Sequence, residues 1–267
     1  ALNLSTFTTD GFSAYDTIPR TPNLEKDGLT GTQISFSASY KVNDVLTLGI
    51  NGLAGVSEAE YDDFGADGSN LTEKTEHSLS AFAQWELGET LHELRLSSFA
   101  VDRNLFEPVG ASVPSYFYGD RLALSYQGTT ELSSALTLVY GGDSTIETAT
   151  TSAQPNGRDT RVSGVFMQGI WTPTEDIDVS ATLRFDDNNR YGDFTSGRLA
   201  ASWRPTNSIT LRGAFARGFR APSLYEQFGD TRFGILPNPN LTPEQSESAE
   251  IGIDDRDLGR PIRQHER

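Results

Sequence analysis

Cysteine is absent from the 267 residues. That excludes a disulfide framework, a thiolate zinc site, an iron–sulfur cluster and a cysteine nucleophile. It suits an oxidising compartment without requiring one. Long apolar runs are missing too: no stretch approaches the ~20 residues a membrane helix needs, so a helical membrane protein is excluded. Positive charge is scarce, with 21 Lys+Arg against 37 Asp+Glu and a formal net charge of −16. Nucleic acid, which demands clustered Lys and Arg, is therefore not an expected partner. The opening ALNLSTFTT has neither the charged n-region nor the apolar h-region of a secretory leader. Either a leader is removed or the chain is part of a longer one.

What is present is alternation. Ile34, Phe36, Ala38, Tyr40 and Val42 interleave with Ser35, Ser37, Ser39 and Lys41, so one face is apolar and the other polar, as in a half-buried strand. The pattern returns at Leu79, Ala81, Ala83, Trp85 and Leu87, at Leu122, Leu124 and Tyr126, and at Leu136, Leu138 and Tyr140. Its clearest instances are Ile177, Val179, Ala181, Leu183, Phe185 and Ile209, Leu211, Gly213, Phe215. About twelve such segments of roughly 9–12 residues are read, the length of membrane-spanning strands. No stretch gives a convincing amphipathic helix.

The connectors alternate between two kinds. Lys41–Asp44, Leu87–Thr90, Gly128–Leu132, Thr172–Asp176 and Arg204–Ser208 are short and carry turn residues. Asp10–Gly31, Val56–Thr75, Arg103–Phe117, Glu147–Arg158 and Arg220–Gln245 read as long loops. Tight turns alternating with long loops are the pattern of an up-and-down outer-membrane barrel.

A soluble β-sandwich also alternates, but its strands cluster near ~5–6 residues. Here bulky charge sits deep on the polar face, at Arg95, Arg121, Arg184 and Arg212, where a wet lumen tolerates it. Aromatics recur near the ends of the apolar face, at Tyr40, Trp85, Tyr126, Tyr140, Trp171, Phe185 and Trp203, as an interfacial girdle would place them. The predicted fold is all-β: an antiparallel up-and-down transmembrane barrel over residues 1–253, followed by a tail, 254–267, without strand pattern.

The stretch after Gly218 adds specificity. Phe219-Arg220-Ala221-Pro222 closes one strand, and Asn238-Pro239-Asn240-Leu241 with Pro243-Glu244 opens the next. These boxes resemble those of TonB-dependent outer-membrane receptors of the cobalamin and siderophore branch, as does the upstream Arg184–Pro205 stretch. The boxes themselves have an architectural reading, since Pro222 cannot donate to a ladder and Asn-Pro-Asn is turn chemistry. The resemblance implies a Gram-negative outer-membrane receptor, not an enzyme, that takes up a ferric siderophore or cobalamin with TonB and a plug domain as partners. It also implies a barrel of about 22 strands, of which this chain supplies about 12, so a partial barrel is expected. Neither plug nor terminal aromatic is in the sequence. A passive porin and a soluble β-sandwich binding protein are the alternatives.

Three groups are candidate sites. Arg184, Arg212, Arg217 and Arg220 read as inward guanidinium groups able to meet an anionic ligand or plug carboxylates, or as lumen charges balancing Asp178 and Asp186. Glu58, Glu60, Asp62, Asp63 and Asp67 offer hard oxygen ligands suited to calcium, or a solvated acidic loop. Between the boxes, Tyr225 to Pro237 has no histidine; His77, His92 and His265 are scattered, which disfavours haem ligation and leaves a Ser–His hydrolase only thinly open.

Overall fold

The computed structural model describes residues 1–13, 24–63, 66–106, 115–229 and 236–255. Twelve strands follow one another: β1 (Leu2–Thr9), β2 (Leu29–Lys41), β3 (Leu46–Asp63), β4 (Ala66–Leu87), β5 (Thr90–Phe106), β6 (Ser115–Ser133), β7 (Leu136–Thr151), β8 (Gln154–Thr174), β9 (Ile177–Asn188), β10 (Gly192–Trp203), β11 (Ile209–Arg220) and β12 (Glu244–Asp255). A single turn of helix, α1 (Leu224–Phe228), lies between the last two. All twelve strands form one sheet in chain order, and each neighbouring pair is antiparallel, as in β2 with β3 and β11 with β12. Among the described residues β1 pairs only with β2 and β12 only with β11, so the sheet is open.

Register follows from the alternation. Ile50 stands opposite Ala81, Ala81 opposite Leu96 and Leu96 opposite Leu124. Tyr140, Met167 and Leu183 continue the same row. A slip of one residue would move every one of these side chains to the polar face. The row is not packed against protein: Leu124 is 48 % exposed, Met167 54 % and Leu183 58 %, and Leu105 is the one buried apolar residue among those described. A sandwich would bury such a row between two sheets. This sheet presents it outward, which is stable only against hydrocarbon, and the soluble-sandwich alternative falls.

The opposite row is polar and forms the inner face. Arg95 pairs with Ser125, Phe166 with Arg184, and Arg184 with Ser196. Helix α1 rests on this side, with the Tyr225 ring 6.1 Å from that of Phe117 on β6. A residue after β11 thus meets a strand five positions back in the sheet, which identifies the inner face as concave.

At the short-turn end the outer row carries a belt of rings. Trp85 stacks on His92 at 5.1 Å, and Tyr126 lies 6.5 Å from Trp85 and 6.4 Å from Tyr140. His92 Nδ1 is 2.8 Å from the Tyr126 hydroxyl. Gly128 stands opposite Tyr140, and a Cβ there would collide with the ring. Trp171 and Trp203 face the same way, Trp203 opposite Ile177. Amphipathic rings belong at a bilayer interface. Phe185 lies toward the opposite end of β9, opposite Thr195.

Two expectations about connectors are corrected. Val56–Thr75 and Glu147–Arg158 are not loops: β3 and β4 stay paired as far as Tyr61 and Asn70, and β7 pairs β8 out to Thr151 and Gln154. Strands accordingly run from 8 to 22 residues, against about 9–11 needed to cross a bilayer. Beyond Val56 the outer row itself turns polar at Glu58 and Glu60, so the excess can stand in water as a paired hairpin. The turn after β6 also begins later than Gly128–Leu132, since β6 reaches Ser133 through an irregularity at Glu131. At the far end β12 extends to Asp255, two residues past the expected limit; residues 256–267 lie outside the described residues.

The outward row generates a stability test. Leu183→Arg is expected to cost about 2–4 kcal/mol near the bilayer midplane, whereas Gln168→Lys on the inner row changes stability by less than about 1 kcal/mol. Denaturant titration of the chain folded in lipid vesicles checks the contrast.

Candidate functional site

Most arginines of the inner face are neutralised by neighbouring carboxylates. Arg184 Nη1 lies 2.7 Å from Asp143 Oδ1, and its Nε donates to Asp186 Oδ1 at 2.9 Å. Asp186 is buried, so the guanidinium also satisfies a carboxylate that water cannot reach. Arg121 meets Glu147 at 3.7 Å and Arg95 meets Glu93 at 2.9 Å while lying over the Phe82 ring. Asp178, expected to balance an inward arginine of the candidate set, instead takes Arg204 at 2.7 Å.

Where the candidate arginines fall is now specific. Arg184, Arg212 and Arg220 are on the inner row. Arg217 is on the outer row: it stands opposite Gly197 and follows Leu211, Gly213 and Phe215 at steps of two. Its inward assignment is corrected by that parity, and it pairs across the outer face with Glu247 at 3.8 Å. Arg212 meets Asp254 at 2.9 Å, and Arg220 meets Glu226 at 2.7 Å and Glu244 at 3.4 Å. All four candidates therefore already have carboxylate partners.

The two sequence boxes frame α1. β11 ends at Arg220, within the first box, because Pro222 has no N–H for a ladder. Ser223 then caps the helix: its hydroxyl accepts from Glu226 N at 3.1 Å, and Glu226 Oε2 accepts from Ser223 N at 2.7 Å. This reciprocal capping box satisfies donors that a helix start leaves unpaired. Its signal, Ser223 followed three residues on by Glu226, is in the sequence, although the hydrophobic pattern points to no helix there. The second box is a turn: Asn238 Oδ1 accepts from Asn240 N at 3.0 Å, and Asn238 N donates to Glu226 O at 3.0 Å. The boxes thus hold α1 between them, both fastened to Glu226: Arg220 to its carboxylate and Asn238 N to its carbonyl. The Arg220 guanidinium, then the Ser223 backbone and hydroxyl, hold the Glu226 carboxyl at about 2, well below its ordinary 4.5.

Beneath α1 lies a cavity of about 250 Å³ lined by Phe117, Tyr225 and Phe228 with Arg103 and Arg158. Arg158 and Arg190 both lie over the Phe228 ring, at 5.2 and 5.4 Å from its centre. A larger hollow of about 530 Å³ continues along the inner face past Arg121, Glu147 and Pro222.

The acidic candidates regroup. Asp62 and Asp67 converge with Glu25, which sequence reasoning had not placed among them, and one oxygen of each lies within 4.8 Å of the others. Ser13 Oγ donates to Asp62 at 3.2 Å and to Asp67 at 3.3 Å. Glu25 Oε2 accepts from Ser69 at 3.1 Å, while its Oε1 is buried with no hydrogen-bond partner. Glu60 points elsewhere and accepts from Gly28 N at 2.9 Å; Glu58 is on the exposed outer row, and the Asp63 side chain is outside the described residues. Hairpin β3–β4 brings Asp62 and Asp67 together, and only tertiary folding adds Glu25. His77 and His92 both lie on the outer row, His77 opposite Ala54 and Ala100 and His92 within the ring belt.

An outward apolar row, an inner polar row and a ring belt define a section of transmembrane β-barrel wall. A family model for the TonB dependent receptor-like β-barrel matches residues 2–260, and the chain belongs to that family. It is 26 % identical over 256 residues to the vitamin B12 transporter BtuB of Photobacterium profundum, covering 94 % of this chain and 40 % of that protein. The siderophore receptor PirA from Acinetobacter baumannii superposes with a TM-score of 0.71 at 14 % identity, over 96 % of this chain and 45 % of that one. The ferric enterobactin receptor PfeA from Pseudomonas aeruginosa gives 0.71 at 16 % identity, over 86 % and 41 %. The chain thus spans about two fifths of the length of the relatives it matches.

The Arg220–Glu226 clamp has a defined pH signature. A depressed carboxylate pKa contributes stability in full above the unfolded value of 4.5, lost as pH falls toward 2. The docking of α1 is therefore expected to be flat between neutral pH and about 5. Carbon NMR titration of the Glu226 carboxyl should give a midpoint near 2, and Arg220→Gln should return it toward the ordinary value.

Proposed function

We propose that this chain is barrel wall of a Gram-negative outer-membrane receptor that imports a scarce, bulky nutrient, a ferric siderophore or cobalamin, using TonB and a plug domain. The observation that carries this reading is α1. A porin needs an open lumen, whereas here the two boxes hold a helical turn against the concave face at the end where the hairpins extend beyond the membrane. The pairing of most inner-face arginines, such as Arg184, Arg121 and Arg212, suits a wall that meets a plug without binding every anion that passes. Relatives named as a vitamin B12 transporter and as siderophore receptors support the same substrate classes.

Deleting the coding gene is expected to abolish saturable, high-affinity uptake of the radiolabelled ligand, and loss of TonB should do the same. Uptake that rises linearly with concentration and ignores TonB would instead identify a passive pore.

Calcium belongs to the same reading. Three carboxylates converging within 4.8 Å repel one another unless protonated or bridged by a cation. The unpartnered Glu25 Oε1 is the oxygen such an ion would take. Glu25, Asp62 and Asp67 would hold a hard divalent cation, with the Ser13 hydroxyl fixing two of them. Isothermal titration should show calcium binding that Asp62→Asn weakens by about 10- to 100-fold. Titration without heat in the wild-type chain would remove calcium from the account.

A further inference from the structure

The candidate arginines Arg184, Arg212, Arg217 and Arg220 all have carboxylate partners; several that lack one gather elsewhere. Among the described residues Arg103, Arg158, Arg161, Arg190 and Arg198 make no ion pair, and three of these gather under α1: Arg103 and Arg158 line the cavity and Arg190 lies over its Phe228 wall. Arg103 donates to Thr72 Oγ1 at 3.2 Å, Arg158 to Gly157 O at 2.9 Å and Arg190 to Asp159 O at 2.7 Å. In a chain with net charge −16, leaving three guanidinium groups unneutralised around one pocket concentrates positive potential there. Low-dielectric walls strengthen such a field.

The walls are aromatic. Phe117 and Tyr225 meet at 6.1 Å with their ring planes tilted by 54°, and Phe228 lies under both Arg158 and Arg190. A cavity of ~150 Å³ holds benzene; this one, at about 250 Å³, has room for one substituted ring and none for a macrocycle. Aromatic faces select a flat ring, and guanidinium forks select adjacent oxyanions or a carboxylate.

We propose that the cavity beneath α1 is a subsite for a single aromatic ring carrying an anionic substituent, such as the catecholate or phenolate arm of a metal chelate. The inference rests on the import reading and narrows it, favouring an aromatic chelate over cobalamin. Phe117, Tyr225 and Phe228 contact the ring, and Arg103 and Arg158 meet its charge.

The test uses the whole protein as encoded, purified in detergent, with 4-fluorobenzoate as probe followed by fluorine NMR. Binding is expected to be displaced by 2,3-dihydroxybenzoate but not by cyclohexanecarboxylate, which has the charge without the ring. Phe228→Leu and Arg158→Gln should each weaken it about tenfold. Arg158→Lys should restore part of the loss, and Arg161→Gln, on the outer row of the same strand, should leave binding unchanged. Equal displacement by cyclohexanecarboxylate, or unaltered binding in both Phe228→Leu and Arg158→Gln, overturns the subsite. Gene deletion reports on import separately: saturable uptake that depends on the gene but survives both substitutions keeps the import reading and removes the subsite. Probe binding lost in both variants, alongside uptake that never saturates, keeps the subsite and removes import.

Discussion

Hydrocarbon accepts no unpaired backbone polar group, and this single constraint organises the molecule. A sheet that satisfies it pairs every strand with its neighbours and must turn one side-chain row to lipid. The two-residue period of a strand then decides which residues those are. Leu124, Met167 and Leu183 face out because they share parity with their cross-strand partners, and Arg95, Arg121 and Arg184 face in for the same reason. Unlike a globular domain, the chain draws its hydrophobic stabilisation from a solvent that is itself apolar, so it has almost no core of its own. The inner row, released from packing, is free to carry charge.

That freedom is used in two ways. Along the strands most charges are matched at close range, Arg184 between Asp143 and Asp186 and Arg121 with Glu147, and Arg204 just past β10 takes Asp178. A matched interior leaves little net field to hold a passing ion. Beyond the membrane the balance changes. Carboxylates gather at Glu25, Asp62 and Asp67, and unpaired guanidinium groups gather under α1. The two concentrations of opposite sign lie in the region where the hairpins stand clear of the bilayer. That is where a receptor first meets its ligand, and where water access makes unpaired charge tolerable.

Helix α1 links the architecture to the site. Its sequence is too short for helix propensity to matter, since an isolated turn cannot offset its nucleation cost. It exists because Ser223 and Glu226 cap it, Arg220 clamps it to β11, and Asn238 receives it on the return. The two family boxes are therefore the mounts of a small roof over the concave face. Their architectural reading and a part in ligand binding are compatible, because a roof that positions Tyr225 and Phe228 shapes the cavity below it.

Much of this was legible in the residues. Alternation alone gives the strand count and most of the outward and inward rows and tight turns, because a strand's period depends only on the backbone; Arg217 and the turn after β6 are where it fails. The capping signal at Ser223 and Glu226 was legible too and went unread. Three things depended on the tertiary structure. Strand length did, because polar hairpin extensions look like loops until a partner strand pairs with them. Charge pairing did, because Arg184 meets Asp143 from a strand two positions away, at a separation of 41 residues that no local pattern encodes. The convergence of Glu25 on Asp62, and of Arg103, Arg158 and Arg190 on one cavity, did as well: sequence fixes which face a side chain takes, but only the curl of the sheet brings distant strands to the same point in space.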